Sequence, residues 1–227
     1  MPGIIAFDVN ETLLELSALD SHFQSIFGDP EIRREWFEQV LKLAFVSTIV
    51  GSYSDFGAIG RAALLVVEER RKKLLSEEQR LDILQTMRNL PAHPDVREGF
   101  KRLRDRGWRL VALTNATLEA AEVQLKNAGL RDDLERVFSA DSVCRLKPAA
   151  EPYQMAAREL GTTTSDLLFV AAHSWDIAGA AKAGCRTAFL ARPCQVLDRL
   201  TPKPTFTAAN VCDLADQLMH TAHRLAG

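Results

Sequence analysis

An apolar run, Ile4 to Phe7, stops abruptly on Asp8, and Asn10, Glu11 and Thr12 follow before apolar residues resume. A carboxylate at the end of a buried strand is costly unless something pairs it. Lys147, in Arg145-Leu146-Lys147-Pro148, could supply the partner, and a nearby ammonium would keep Asp8 ionised. Thr114 with Asn115, and the stretch His173 to Asp176, also follow apolar runs. Singly, Thr114, Asn115 and Asp176 read equally well as helix caps or turn residues. Gathered at one edge, with Asp8 and Lys147, they make a charged cluster for which a protein that only binds has little use.

Such a cluster needs strands that deliver its members to one edge. Residues 3–7 read as a short buried strand. Residues 15–90 hold helical patterns and no comparable strand: Glu31 to Val50, Asp55 to Lys73 and Glu77 to Asn89. Pro91 and Pro94 interrupt any helix there. Beyond them, helix and strand alternate. Strands are expected at Arg109 to Leu113, Val137 to Ala140, Leu167 to Ala171 and Thr187 to Leu190. Helices are expected at Val96 to Arg106, Leu118 to Ala128, Pro152 to Leu160, Ile177 to Ala183 and Cys212 to Leu225. This alternation predicts an α/β fold: a doubly wound, Rossmann-like parallel sheet. The core is expected over residues 1–14 and 92–227, with an inserted helical cap over 15–91. Arg192 to Ala208, with three prolines, is expected as an irregular loop feeding an edge strand. Open parallel sheets bind ligands at the carboxyl ends of their strands, where the polar groups above fall.

The 227 residues suit one core with an insertion. A net charge of -2 points to neither nucleic acid nor an anionic membrane surface. No apolar run reaches the roughly 18 residues of a membrane span. The chain begins without the basic start and long apolar stretch of a secretory signal, so a cytoplasmic protein is expected. Cys144, Cys185, Cys194 and Cys212 form no CxxC pair and are expected as reduced, mostly buried thiols. The charged run Glu68 to Lys73 is expected to be an exposed helix end.

FDVNET, LTNAT, RLKP and AAHSWD, in this order around a helical insertion, resemble the four motifs of the haloacid dehalogenase superfamily. The resemblance covers nearly the whole chain. Trp175-Asp176, the spacing from Lys147 to Tyr153, and the cap segment from Trp36 to Tyr53-Ser54-Asp55-Phe56 resemble its 2-haloacid dehalogenase branch. The resemblance implies a mechanism. Asp8 would attack the carbon bearing the leaving group and form an aspartyl ester, whose carbonyl water then attacks. Lys147 would hold Asp8 ionised. Asp176 would pair with Lys147 and position or activate the water. Thr12 and the amides after Asp8 would steady the carboxylate and its developing oxyanion. Thr114 and Asn115 would donate hydrogen bonds to a substrate carboxylate. Phe37, Leu41, Phe56 and Trp175 would exclude water, and Tyr153 would join the substrate-binding residues. The implied substrate is a short 2-haloalkanoic acid, handled without cofactor or metal. Relatives are often dimers, so a homodimer is a further expectation, with the cap aromatics as its interface or as buried cap core.

Most of the superfamily transfers phosphoryl groups with magnesium, so a magnesium-dependent phosphohydrolase is the alternative. That pattern has an acid two residues after the nucleophile, where this chain has Asn10, which cannot donate an acidic proton. It often has an acidic pair four residues apart in the fourth motif, where Ala172 here precedes Asp176. Both changes favour displacement at carbon. The dehalogenase pattern is also broken. Its well-studied members carry arginine directly after the cap tryptophan, touching halide and substrate carboxylate, where this chain has Phe37. Arg33 and Arg34 lie nearby but are expected on a different part of the helix turn. Tyrosine stands in place of Asn10, and serine and asparagine in place of Ala171 and His173. His173 with Asn10 could take over part of the arginine's anion binding, or His173 could be a packed neighbour of Trp175. A third reading keeps the fold as a binding module with weakened chemistry.

Overall fold

The computed structural model describes residues 3–225. Among them, six strands form one sheet: β1 Ile4–Phe7, β2 Arg109–Thr114, β3 Arg136–Ser139, β4 Leu167–Ala171, β5 Arg186–Leu190 and β6 Phe206–Ala208. Their order is β3-β2-β1-β4-β5-β6, and every neighbouring pair is parallel. The sheet is covered on both faces, so β1 is an unbroken apolar run rather than an alternating one. Ile4 and Ala6 pack into one core, and Ile5 and Phe7 into the core on the other face. Strand order reverses between β1 and β4, which opens a crevice at their carboxyl ends. Phe7 pairs with Val170, so both strands deliver the next residues to one level.

Four helices interrupt the chain after β1: α1 Asp20–Phe27, α2 Ile32–Val50, α3 Phe56–Arg71 and α4 Glu77–Thr86. They form the cap. The crossings into and out of it run side by side, since Leu14 bridges Ala92 and the His93 N–H donates to the Leu13 carbonyl at 2.9 Å. Asp55 caps α3 by accepting from the Ala58 N–H, and Ser76 and Gln79 form a capping box on α4. The Trp36 indole N–H donates to the Gly60 carbonyl at 3.0 Å and pins α2 to α3. The remaining helices flank the sheet: α5 Val96–Arg104, α6 Leu118–Asn127, α7 Ala150–Glu159, α8 Ser174–Lys182 and α9 Val211–Leu225. No helix among the described residues is long and apolar enough to cross a membrane.

Several elements differ from expectation for identifiable reasons. Helix α1 gives no sequence signal, because only Phe23 and Ile26 of its eight residues are buried. Helix α7 starts two residues before Pro152, which fits the first turn because no N–H is needed there. Helix α8 starts at Ser174, which places Asp176 in its first turn. Glu68 is not exposed: its carboxylate is buried and accepts from Arg80 at 2.6 and 2.8 Å. Only Cys185 is a buried thiol. Cys144 and Cys194 sit at left-handed turn positions (φ 49° and 63°), which hold them at the surface. The cap aromatics Phe23, Trp36 and Phe37 are interior, and the exposed apolar side chains at the end of α2 are aliphatic: Val46, Ile49 and Val50.

Candidate active site

Asp8 leaves the end of β1 with its N–H bonded to the Val170 carbonyl at 2.9 Å. The chain then turns tightly, with the N–H groups of Leu13 and Leu14 both donating to the Val9 carbonyl. This turn brings Thr12 back to Asp8. Its hydroxyl donates to Asp8 Oδ2 at 2.6 Å and accepts from the Ala172 N–H at 3.0 Å, tying the end of β1 to the end of β4. Lys147 is fully buried. Its ammonium donates to Asp8 Oδ1 at 2.8 Å, Asp176 Oδ2 at 2.7 Å and the Leu113 carbonyl at 3.0 Å, which engages all three protons. Tyr153 on α7 donates to the other Asp176 oxygen at 2.5 Å. Asn115 holds the lysine's own backbone, accepting its N–H at 2.8 Å and donating to its carbonyl at 3.3 Å. Thr114 Oγ1 accepts from the Ala116 N–H at 3.2 Å.

These contacts set the charges. Burial opposes ionisation of Asp8, but Lys147 and His173 hold its carboxyl well below the usual carboxylate range. Burial opposes the Lys147 ammonium too, and Asp176 and Asp8 outweigh it, so the lysine stays above its ordinary value. The Asp176 carboxyl is pushed up by burial, which Lys147 offsets only in part.

A narrow cavity opens in front of Asp8. Eight of the nine residues expected to bind substrate share its wall with Asp8: Asn10, Phe37, Leu41, Phe56, Thr114, Asn115, His173 and Trp175. Tyr153 is the exception. It is fully buried behind Asp176, so its hydroxyl meets that carboxylate and not the cavity. Lys147 and Asp176 also lie beneath the wall. Asn10 accepts from Gln124 Nε2 at 3.3 Å, which leaves its amide N–H groups as donors. The Asn115 amide, with one N–H on the lysine loop, has a second for the cavity.

Glu11 stands inside the FDVNET motif with no expected role, yet it belongs to the site. Its carboxylate accepts from His173 Nε2 at 2.7 Å and Gln195 Nε2 at 3.3 Å, and pairs with Arg33 at 3.5 Å. Arg33 in turn donates to Asp20 at 2.6 Å. The expectation that Arg33 falls elsewhere on the helix is wrong: it precedes Phe37 by four residues, so the two share a face of α2. His173 Nδ1 faces Asp8 Oδ2 at 3.8 Å, an ion-pair distance too long for a hydrogen bond. This nitrogen has no hydrogen-bond partner among the described residues. Burial pulls the His173 imidazolium down, but the carboxylates of Asp8 and Glu11 outweigh it and push its pKa up to about 9.

The model of one protein family, the haloacid dehalogenase-like hydrolases, matches residues 3–184. The chain belongs to that family. Haloacetate dehalogenase H-2 of Moraxella sp. (strain B) is 28% identical over 205 residues, 89% of this hydrolase and 92% of the relative. (S)-2-haloacid dehalogenase 2 of Pseudomonas sp. (strain CBS-3) is 24% identical over 216 residues, 94% of each chain. The L-2-haloacid dehalogenase of Xanthobacter autotrophicus, solved with chloropropionic acid covalently bound, superposes with a TM-score of 0.89 at 22% identity. That match covers 96% of this hydrolase and 99% of the other chain, cap included.

Proposed function

We propose that this hydrolase removes halide from short 2-haloalkanoic acids through an ester on Asp8. The observation that carries the reading is an ionised Asp8, seated on Lys147, facing a small and mostly apolar cavity. Excluding water there strips solvent from the attacking carboxylate. Thr12 steadies the Asp8 carboxylate, and Asp176 keeps Lys147 in place. The amides of Asn10 and Asn115, beside Thr114, suit the substrate carboxylate. Trp175 Nε1 and His173 Nδ1 are buried nitrogens without hydrogen-bond partners among the described residues, and both residues line the cavity. They suit the departing halide, with His173 supplying the positive charge that Phe37 does not. Phe37, Leu41 and Phe56 exclude water, and residues 15–91 act as the cap. The four free thiols support the reducing cytoplasm as location. A homodimer would seat on Val46, Ile49 and Val50, which sedimentation equilibrium tests.

Halide release from chloroacetate or 2-chloropropionate in the presence of a chelator tests the reaction. One turnover in heavy-oxygen water tests the ester. Label entering Asp8 supports it, and label found only in the hydroxyacid refutes it.

A further inference from the structure

We propose that His173, oriented by Glu11, is the general base that activates water for hydrolysis of the Asp8 ester; this rests on the ester reading above. Asp176 is poorly placed for that task. Both its oxygens are engaged, by Lys147 at 2.7 Å and Tyr153 at 2.5 Å, and it does not line the cavity. Of the residues that do, only Asp8 and His173 carry titratable side chains. His173 Nδ1 and Asp8 Oδ2 stand 3.8 Å apart. With no other partner on Nδ1 among the described residues and both residues on one cavity, a water hydrogen-bonded to that nitrogen is brought beside the Asp8 carboxyl group.

The ring is held for the purpose. Glu11 accepts from Nε2 at 2.7 Å, Trp175 stacks at 5.3 Å between centroids, and Phe37 stands at 6.2 Å. A base oriented by a carboxylate is the recurring arrangement for such chemistry. Glu11 itself sits at φ 61°, a left-handed conformation that costs a non-glycine residue about 1 kcal/mol or more. The charged groups around the ring are Asp8 and Glu11 from the turn after β1, Arg33 from α2, and Lys147 across Asp8. His93 and Arg192 touch the carbonyls of Glu11 and Thr12 behind that turn.

The protons balance as follows. The resting site holds a His173 imidazolium and an Asp8 carboxylate. On displacement an Asp8 oxygen bonds to carbon, the carbon–halogen bond breaks, and the halogen leaves with the bonding pair. Asp8 is then uncharged, and one of the two anions that held the His173 proton is gone. The proton leaves to solvent through the polar cleft that His173 lines together with Glu11, Arg33 and Gln195. Neutral His173 takes a proton from water as the water oxygen bonds to the carboxyl carbon. The tetrahedral adduct expels the hydroxyacid oxygen, which takes the remaining hydroxyl proton. Asp8 carboxylate and His173 imidazolium are restored, and one proton and one halide have been released.

Single-turnover reactions of H173Q and E11Q with 2-chloropropionate test the assignment. Halide, free proton, protein mass and hydroxyacid are followed together. Wild type should release its proton with the halide, before the hydroxyacid appears. H173Q, lacking the imidazolium beside the halide, should release about one halide per enzyme more slowly than wild type and stop with the ester on Asp8, hydroxyacid formation falling about 10²–10⁴-fold. Glu11 is a positioning residue, so E11Q should hydrolyse the ester with its acid limb moved to lower pH, which a merely structural change would not do. Either of two results overturns the proposal: H173Q turning over within threefold of wild type without ester, or H173Q releasing no halide and carrying no ester. Wild type that yields neither halide nor an Asp8 adduct would instead refute the ester reading itself.

Discussion

Replacing Lys147 with methionine keeps an unbranched side chain, one heavy atom shorter, and removes its ammonium. Asp8 and Asp176 are then stranded. Their side chains are 8% and 0% exposed, and each loses a bond of 2.8 or 2.7 Å. Breaking a buried ion pair by removing one partner costs about 3–5 kcal/mol. Without the ammonium, burial raises the Asp8 pKa, and the protonated fraction cannot displace halide, so halide release should fall by more than tenfold at neutral pH. The pH dependence is more diagnostic than the size of the loss. In wild type the Asp8 pKa is depressed on folding, so its share of stability is present above the unfolded value near 4 and is lost as pH falls through the folded value. In the variant both carboxyls are raised by burial with no cation to offset it. Their contribution is then full below about pH 4 and is lost as pH rises through the raised folded values. Each protonated carboxyl adds a slope of about 1.4 kcal/mol per pH unit in that window. Urea unfolding at pH 5, 6, 7 and 8 measures the slope, and halide release measures the rate. Adding Asp176→Asn should recover part of the stability and none of the activity. A variant with the wild-type pH slope, or with halide release within tenfold of wild type, refutes the reasoning.

Four further outcomes follow from the same geometry. Asp8 is held well below the usual carboxylate range, so kcat/KM should show no acid limb from it between pH 5 and 8. Displacement favours the His173 imidazolium, so kcat/KM should fall as pH rises through about 9, and H173Q should lack that limb. Trp175→Phe keeps the ring on His173 but removes a buried N–H donor, so inhibition by added halide should weaken about tenfold. Gly179→Ala puts a methyl 2.6 Å from Pro148 Cβ and 2.7 Å from its carbonyl oxygen, which must push α8 away from the loop carrying Lys147. Urea unfolding should show a loss of about 1–3 kcal/mol, with halide release falling alongside it.

The parts of the site legible from sequence obey local rules. An apolar run ending on an acid reads as a strand that delivers a carboxylate, because burial without a partner is too costly. That reasoning pairs Asp8 with Lys147 across 139 residues, and they meet at 2.8 Å. Glu11 obeys no such rule. It stands in a turn rich in polar residues, and only the left-handed backbone at that position aims it at His173. Arg33 was within reach, since a separation of four from Phe37 puts both on one face of a helix. Tyr153 lies on the buried side of Asp176, a placement set by how α7 packs beside α8 and not by its spacing from Lys147. The exposed cysteines depend on turn conformations that composition does not encode.

Aligned side chains of alternating charge run through the site: Asp176, Lys147, Asp8, His173, Glu11, Arg33 and Asp20, with successive separations of 2.7, 2.8, 3.8, 2.7, 3.5 and 2.6 Å. Arg33 stops at Glu11 and does not line the cavity, so the cation that faces the substrate is His173. The difference between a guanidinium and an imidazolium is chemical as well as spatial. Both can stabilise a departing halide, but only the imidazolium gives up its proton near neutral pH. A cavity lined by arginine must therefore find the base for its second step elsewhere. With Phe37 apolar and His173 between Asp8 and Glu11, this cavity holds one group able to serve both steps. The order of events fixes which form it takes, because consuming the charge on Asp8 weakens the hold on the His173 proton at the point where a base is next required.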